Sequence, residues 1–329
     1  MAFTTRVGTI WTQWARQVAA PATPHRKRRS GLFDSKAIWL GMLPGLIIFL
    51  GMSLGPSVTT ALLSFTDIRQ TPGTPWHWVG WQNYVTVLLQ SNRRDVLAAV
   101  GHTLYFALVV TVVQTALALL LASILNNKNL RGRNLARTVI FLPVILGVTV
   151  TGLCFKLFFS IDGPANAILG LFGTRSDFFA SWSLAMPLVI FVQIWMSVGY
   201  EMVIFLAGMQ NIPEELYESA KVDGANSRQR FWHITIPMLW PTLTTNLLLC
   251  LIGALSAFML VLITTNASPQ TTTLAMMVYQ YAFGLGGNGA SYEGQQGLAA
   301  ALAMLLFIFV LIFTLALRFT MNTRKDSLL

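Results

Sequence analysis

Charge is scarce in this chain: only 10% of its 329 residues are Asp, Glu, Lys or Arg, while 54% are hydrophobic. A soluble domain of this size needs more polar surface than that, so lipid must solvate most of the chain. The mean hydropathy of +0.61 agrees. Cysteine is scarcer still. Cys154 and Cys250 both fall inside apolar runs, and they are expected to pack there rather than to form a disulfide or a metal pair. His25, His77, His102 and His233 are scattered without ligand spacing, which argues against a metal site. No nucleophile–base pair marks the chain as an enzyme. No Gly-Lys dipeptide occurs anywhere, which excludes a phosphate-cradling loop of the Gly-x-x-x-x-Gly-Lys type, so any ATP-driven work must come from another polypeptide.

What is abundant is long apolar sequence. Stretches near the ~20 residues that cross a bilayer occur at 37–64, 97–125, 136–160, 184–209, 236–264 and 297–319. Six spans place both termini on one side and predict an all-α integral membrane protein. The expected organisation is an N-terminal arm at 1–36, a six-span domain at 37–320 and a tail at 321–329. The net charge of +10 does not point to nucleic acid, because the basic residues sit in short clusters beside apolar runs. With the N-terminus inside, the inner segments hold seven, four, three and three Lys/Arg, against Arg69, Arg93, Arg94 and Arg175 outside. That bias predicts cytoplasmic termini, with Arg93-Arg94 a local exception. The first span is too long for the apolar region of a signal peptide and is expected to stay as an uncleaved anchor.

Phe3, Val7, Ile10, Trp11, Trp14 and Val18 line one helical face, as an interfacial helix would; a frayed tail is the alternative. Trp76, Trp78, Trp81 and Tyr84 fit an interfacial aromatic belt. The segment 265–296 is rich in Gly, Thr, Asn and Gln with Glu293 its one charge, which suits contact with a protein or neutral solute, or an ordinary solvated loop. Lys156 is expected to snorkel from the outer end of the third span. No inverted repeat of the secondary-transporter kind is visible.

One polar island interrupts the apolar pattern, at about 210–235. Asn211 can cap a helix with Pro213 in its first turn and Glu214 three residues after the cap. Glu214 and Glu215 suit the positive end of that helix. Gly224 can supply the positive φ that ends it after Asp223, and Asn226 or Ser227 can cap a second short helix through Phe231. A short helix fused to two spans can carry the motion of a docked protein into the bundle. Glu218 and Asp223 can accept charge-assisted bonds from that partner, while Ala220, Gly224 and Ala225 permit close approach. A plain connecting loop held by its own caps is the bland alternative.

Glu218-x-Ala220, then Gly224, then Ile234-x-Ile236-Pro237 resembles the cytoplasmic signature of permease subunits of binding-protein-dependent ABC importers. Ser219 and Ile236 are mild departures from that signature. Gly80-Trp81-Gln82-Asn83-Tyr84, Phe141-Leu142-Pro143 and Leu206-Ala207-Gly208 through Pro213 resemble further elements of the carbohydrate-uptake branch, in the subunit similar to the first permease of maltose-type systems. The resemblance implies the type I importer fold, a heterodimer with a second homologous permease, two ATP-binding cassette ATPase subunits that bind ATP and Mg, and an extracytoplasmic solute-binding protein. It implies no cofactor on this chain and a carbohydrate cargo. A non-sugar solute such as a glycerophosphodiester, or an independent secondary carrier, is the alternative.

The same resemblance implies solute contacts around Gln193, Met196, Ser197 and Tyr200 on the fourth span, and around Cys250, Gly253, Ala254 and Ala257 on the fifth. The fourth-span set shares one helical face, and the Tyr200 ring can stack on a pyranose. The small fifth-span residues widen a cavity, leave the contacts to the partner permease, or simply pack helices. Glu201 is an ionisable group within a span; it either bonds a sugar hydroxyl or pairs with a neighbouring subunit.

Overall fold

A computed structural model describes residues 35–90, 93–266, 268–285 and 293–328; the amphipathic pattern of residues 3–18 lies outside them. The regular structure is helical, apart from one isolated antiparallel bridge between Thr66 and Trp78. Among the described residues, five helices are long and apolar enough to cross a membrane, or six when one bent pair is counted as a span. The all-α, multi-span architecture expected from the sequence is therefore present in outline.

The chain divides into two compact units, Met1–Ser57 and Val58–Leu329. The first contains α1 (Ser35–Phe49), a π turn at Leu50–Leu54 and the start of α2 (Gly55–Leu63). Pro44 sits inside α1. In the π turn the Gly55 N–H reaches the Leu50 carbonyl, the wider i→i+5 closure that adds a residue to the turn.

The second unit continues with α3 (Gln82–Leu89), α4 (Arg93–Leu125), α5 (Arg133–Ile145), α6 (Val148–Phe158), α7 (Pro164–Gly170), α8 (Ala185–Gln210), α9 (Glu214–Val222), α10 (Ser227–Arg230), α11 (Ile236–Leu255), α12 (Met259–Thr265), α13 (Leu274–Phe283) and α14 (Gln296–Leu328). Two spans differ from the sequence expectation. The third is not continuous over 136–160: α5 and α6 meet at 96°. Leu146 and Gly147 between them are extended, and Pro143 removes a donor from the last turn of α5. The fifth does not run on to residue 264. Its helix ends at Leu255, and α12 starts anew at Met259.

Lipid tails are as apolar as leucine, so association of these helices rests on close packing rather than on removal of surface from water. The helix α8 is the hub. Its upper half (Met186, Val189, Ile190, Val192) packs with Phe106 and Val110 of α4, Leu255 of α11 and Val261 of α12. Its lower half (Val198, Met202, Phe205, Leu206, Met209) packs with Ala118, Ala122 and Leu125 of α4 and with Leu239. Glycines set the spacing. A Cβ at Gly199 would press into the Ile140 carbonyl and stand 3.0 Å from the Phe141 Cα of α5. One at Gly208 would stand 2.8 Å from Leu239. Leu108, Val112, Leu120, Ile308 and Ile312 point outward and stay exposed, the surface a bilayer covers. Cys154 also points outward, so only Cys250 packs as expected.

The segment between the first two spans is more than an aromatic belt. Gly80 takes φ +59°, and Asn83 donates from Nδ2 to the carbonyls of Ser64 at 2.9 Å and Thr66 at 2.8 Å. Phe65, Trp78, Trp81 and Tyr84 stack over that turn. The polar 268–273 stretch is likewise no solvated loop. Thr271 and Thr273 are buried, Thr103 accepts from the Leu274 N–H, and His102 meets the Thr272 carbonyl at 3.1 Å. Its threonine hydroxyls close hydrogen bonds within the bundle, Thr271 with Ser268 and Thr265, Thr272 with Ser268 and Thr273 with the Ala257 carbonyl, where no water is needed to satisfy them.

Candidate coupling loop and transport face

The polar island folds as a helix followed by the root of the next span. Asn211 does not cap α9. It is the C-cap of α8, and Pro213 occupies the N-cap position with no side-chain bond. Pro213 suits this place because it ends one helix and cannot donate to the next. At the other end the Ala225 N–H reaches the Ala220 carbonyl at 2.8 Å and the Gly224 N–H reaches Lys221 at 3.1 Å, with Gly224 at φ +79°. This is a Schellman closure, which requires a left-handed residue at C′. Asn226 then caps α10 through a reciprocal box with Gln229. The second helix is not free-standing, however. It continues through a π turn at Phe231–Thr235 into α11, so Ser227–Leu255 forms one span.

The faces of α9 divide cleanly. Tyr217 points into the bundle, packs among Met209, Ile212 and Ile234, and shares a 2.9 Å hydrogen bond with Thr235. Glu214 turns toward the loop between the second and third spans and pairs with Lys128 at 2.8 Å. Glu215, Glu218, Ser219, Val222, Asp223 and Gly224 remain exposed, while Ala220 and Ala225 are half-buried beneath them. The expected coupling residues thus split into Glu214, tied to Lys128, and an exposed outer set. Sequence reading missed Val222, which at 88% exposed is an apolar knob on that surface. Its signal was an isolated valine in a polar island.

Gly224 has open space where a Cβ would sit, so Gly224→Ala costs only its backbone conformation, about 1 kcal/mol. A drop of a few degrees in melting temperature is expected, with Gly224→Asn closer to the parent. Equal melting for all three would show that the closure is not formed.

The Lys128 ammonium, by hydrogen bond and by charge, holds the Glu214 carboxyl below the usual carboxylate range. Its folded pKa is then lower than its unfolded one, so the tether's contribution is present above the unfolded value and is lost as pH falls through the folded one. Both side chains are well exposed, so the contribution is small and salt-screened. Acidification below the carboxylate range, or high salt, should speed amide exchange at 126–129 with the spans intact; unchanged exchange would show that the pair does not hold this loop.

Half a membrane away, Gln193, Met196, Ser197 and Tyr200 share a face of α8. Gln193 donates to the Ser197 hydroxyl at 3.0 Å, and Tyr200 is 53% exposed. Glu201, about a quarter-turn round the helix from the centre of that face, is 3% exposed and accepts from Gln114 at 2.7 Å and Thr115 at 3.2 Å of α4. It belongs to the helix packing of its own chain, and neither expected partner, a solute or a neighbouring subunit, is needed to satisfy it. The fifth-span set divides too. Gly253 is open, Ala257 lies half-buried in the break after α11, Ala254 is buried in the core, and Cys250 is partly buried.

A helical bundle of this span count, with a short loop helix between its fourth and fifth spans, is the architecture of a polytopic membrane protein. Residues 114–321 match the family model of the binding-protein-dependent transport system inner membrane component, and the chain belongs to that family. It is 32% identical over 292 residues to the arabinooligosaccharides transport system permease protein AraP of Bacillus subtilis, covering 86% of this chain and 91% of that protein. It is 32% identical over 265 residues to the lactose transport system permease protein LacF of Rhizobium radiobacter, covering 79% and 87%. The fold is also that of a chain in a crystal structure of a bacterial ABC transporter involved in the import of the acidic polysaccharide alginate. That match has a TM-score of 0.74 at 24% identity and covers 88% of this chain and 96% of that one. The chain is thus a multi-pass, non-catalytic permease subunit of an ABC importer.

Proposed function

We propose that this permease forms half of the translocation pathway for a sugar or oligosaccharide that an extracytoplasmic binding protein delivers. Its working partners are a second homologous permease and two ATP-binding cassette subunits, which bind ATP and Mg, and its termini face the cytoplasm. The observation that carries the reading is α9: a short helix closed at its C-terminal end, rooted by Tyr217 in the core that α8 organises, with Glu215, Glu218 and Val222 exposed. Rigid-body motion of a partner gripping that surface passes to α8 and α11 with little loss, because both ends of the loop are capped or continuous with a span. The sugar class is supported by the names of the relatives, which transport arabinooligosaccharides, lactose and trehalose or maltose.

The face of α8 carrying Gln193, Met196, Ser197 and Tyr200 is the proposed solute contact, joined by the small fifth-span positions Gly253, which is open, and Ala257, which is half-buried. Glu201, Cys250 and Ala254, buried or partly buried, complete the proposed pathway set. Purification of the tagged chain from its native membrane in mild detergent should bring down an ATP-binding cassette ATPase and a second permease. Recovery of the chain alone, under conditions that preserve other ABC complexes, counts against the assignment.

A further inference from the structure

A cavity of about 720 Å³ opens where the ends of α6, the turn before α8 and the end of α12 converge. By chain topology this is the end of the bundle opposite α9, since α8 starts here and finishes at the coupling loop. The volume falls within the roughly 300–1,000 Å³ typical of small-molecule sites. Lys156 does not simply snorkel; it lines this cavity together with Asp162, Asp177, Trp182, Asn266 and Gln270.

The walls are built rather than incidental. Buried Asn166 holds two of them together, donating to the carbonyls of Ile161 at 3.0 Å and Ser176 at 2.8 Å and accepting from the Ser176 N–H at 2.9 Å. Gln270 bonds the Ala180 carbonyl at 3.3 Å and so joins the third wall. Phe159 packs against Phe178 in a tilted contact and against Phe179 edge-to-face, with centroids at 4.9 and 5.8 Å. Two non-glycine residues among those described have positive φ: Phe178 at 41°, between the lining residues Asp177 and Phe179, and Asn266 at 50°, itself in the lining. Left-handed backbone at a phenylalanine is costly and persists only where the surroundings enforce it, which happens most often at binding sites.

We infer that this cavity is an entry subsite for one ring of a neutral oligosaccharide, separate from the Tyr200 face; the inference rests on the sugar-permease reading above. Trp182, 76% exposed, presents an indole on which the C–H face of a sugar ring stacks. Asp162 and Asp177 form no ion pair among the described residues and can each accept from paired ring hydroxyls. One ammonium against two carboxylates leaves the cavity negative, which disfavours an acidic sugar.

The test uses the full chain in lipid nanodiscs, without binding protein, and saturation-transfer NMR with three probes: maltotriose, arabinotriose and a uronate trisaccharide. At least one neutral probe should show transfer. Its affinity should fall about tenfold, the equivalent of ~1.4 kcal/mol, in Trp182→Ala, and further in Trp182→Ala/Asp177→Asn, while Leu135→Ala, at an exposed position on α5 outside both proposed sites, leaves it in place. The uronate should show none. Because Trp182 is so exposed, its truncation leaves the fold intact, as melting will verify. Absence of transfer from both neutral probes, transfer insensitive to Trp182, or equal transfer from the uronate overturns the subsite. Sugar uptake by the assembled wild-type importer is measured alongside. Uptake without Trp182-dependent binding overturns the subsite alone, whereas absence of sugar uptake overturns the parent reading.

Discussion

Glu218→Lys is expected to abolish solute-stimulated ATP hydrolysis by the assembled importer while leaving the permease inserted and stable. Glu218 is exposed on the outer face of α9 and forms no ion pair among the described residues. The substitution therefore leaves the Tyr217 anchor and the Schellman closure untouched. What changes is the docking surface: an acceptor of charge-assisted bonds becomes a donor, and a cation opposing a cation at an interface costs several kcal/mol. A loss of that size is at least a hundredfold in coupling. The control is Glu214→Gln, which removes the Lys128 tether on the inner face and should reduce stimulation only slightly. Two-subunit ATPase assays on purified complexes, with and without solute-loaded binding protein, separate the two. Full stimulation in Glu218→Lys would remove α9 from the coupling path.

Gly199→Leu should abolish the folded permease itself. Gly199 is next to Tyr200 on α8, where the helix lies against the backbone of Ile140 and Phe141. Overpacking against flexible side chains costs about 1–3 kcal/mol. Here the atoms met are main chain, which cannot rotate away, so the cost should reach or exceed ~3 kcal/mol and separate α8 from α5. Gly253→Ala is the matched control, since a Cβ there meets nothing within 4 Å and alanine is favoured in a helix by about 1 kcal/mol. Detergent-solubilised Gly199→Leu should elute as aggregate or melt far below the parent, with Gly253→Ala at or above it. A normal melt for Gly199→Leu would mean that the α5–α8 contact is not the tight crossing described.

These two residues show what a sequence reader could and could not see. The polarity of 210–235 against apolar neighbours announced the loop, and Gly224 and Asn226 marked its turn because only certain residues serve at those positions. The role of Gly199 was invisible: a glycine within a span signals close approach, yet nothing in its neighbourhood says to what. Glu201 was likewise recognisable as exceptional, but its partners Gln114 and Thr115 lie more than eighty residues away, and an unpaired carboxyl in sequence looks like a solute ligand. The break at Leu146–Gly147 was hidden inside an unbroken apolar run, since hydropathy does not register a change of direction. The threonines of 271–273 misled in the opposite sense. Polar residues without neighbours look solvated, whereas here they close backbone bonds inside the bundle. Asn83 was noticed as part of a motif, and only the structure gives its reason, the clamp on the Ser64 and Thr66 carbonyls.

The most direct test of the account is uptake of a neutral oligosaccharide into proteoliposomes carrying this chain in defined company. With the second permease, the ATPase pair, the binding protein and internal or external ATP on the nucleotide-binding side, uptake should be ATP-dependent, and it should vanish when the ATPase is inactivated. Uptake by this chain alone, driven by a proton or sodium gradient with no ATPase present, would contradict it.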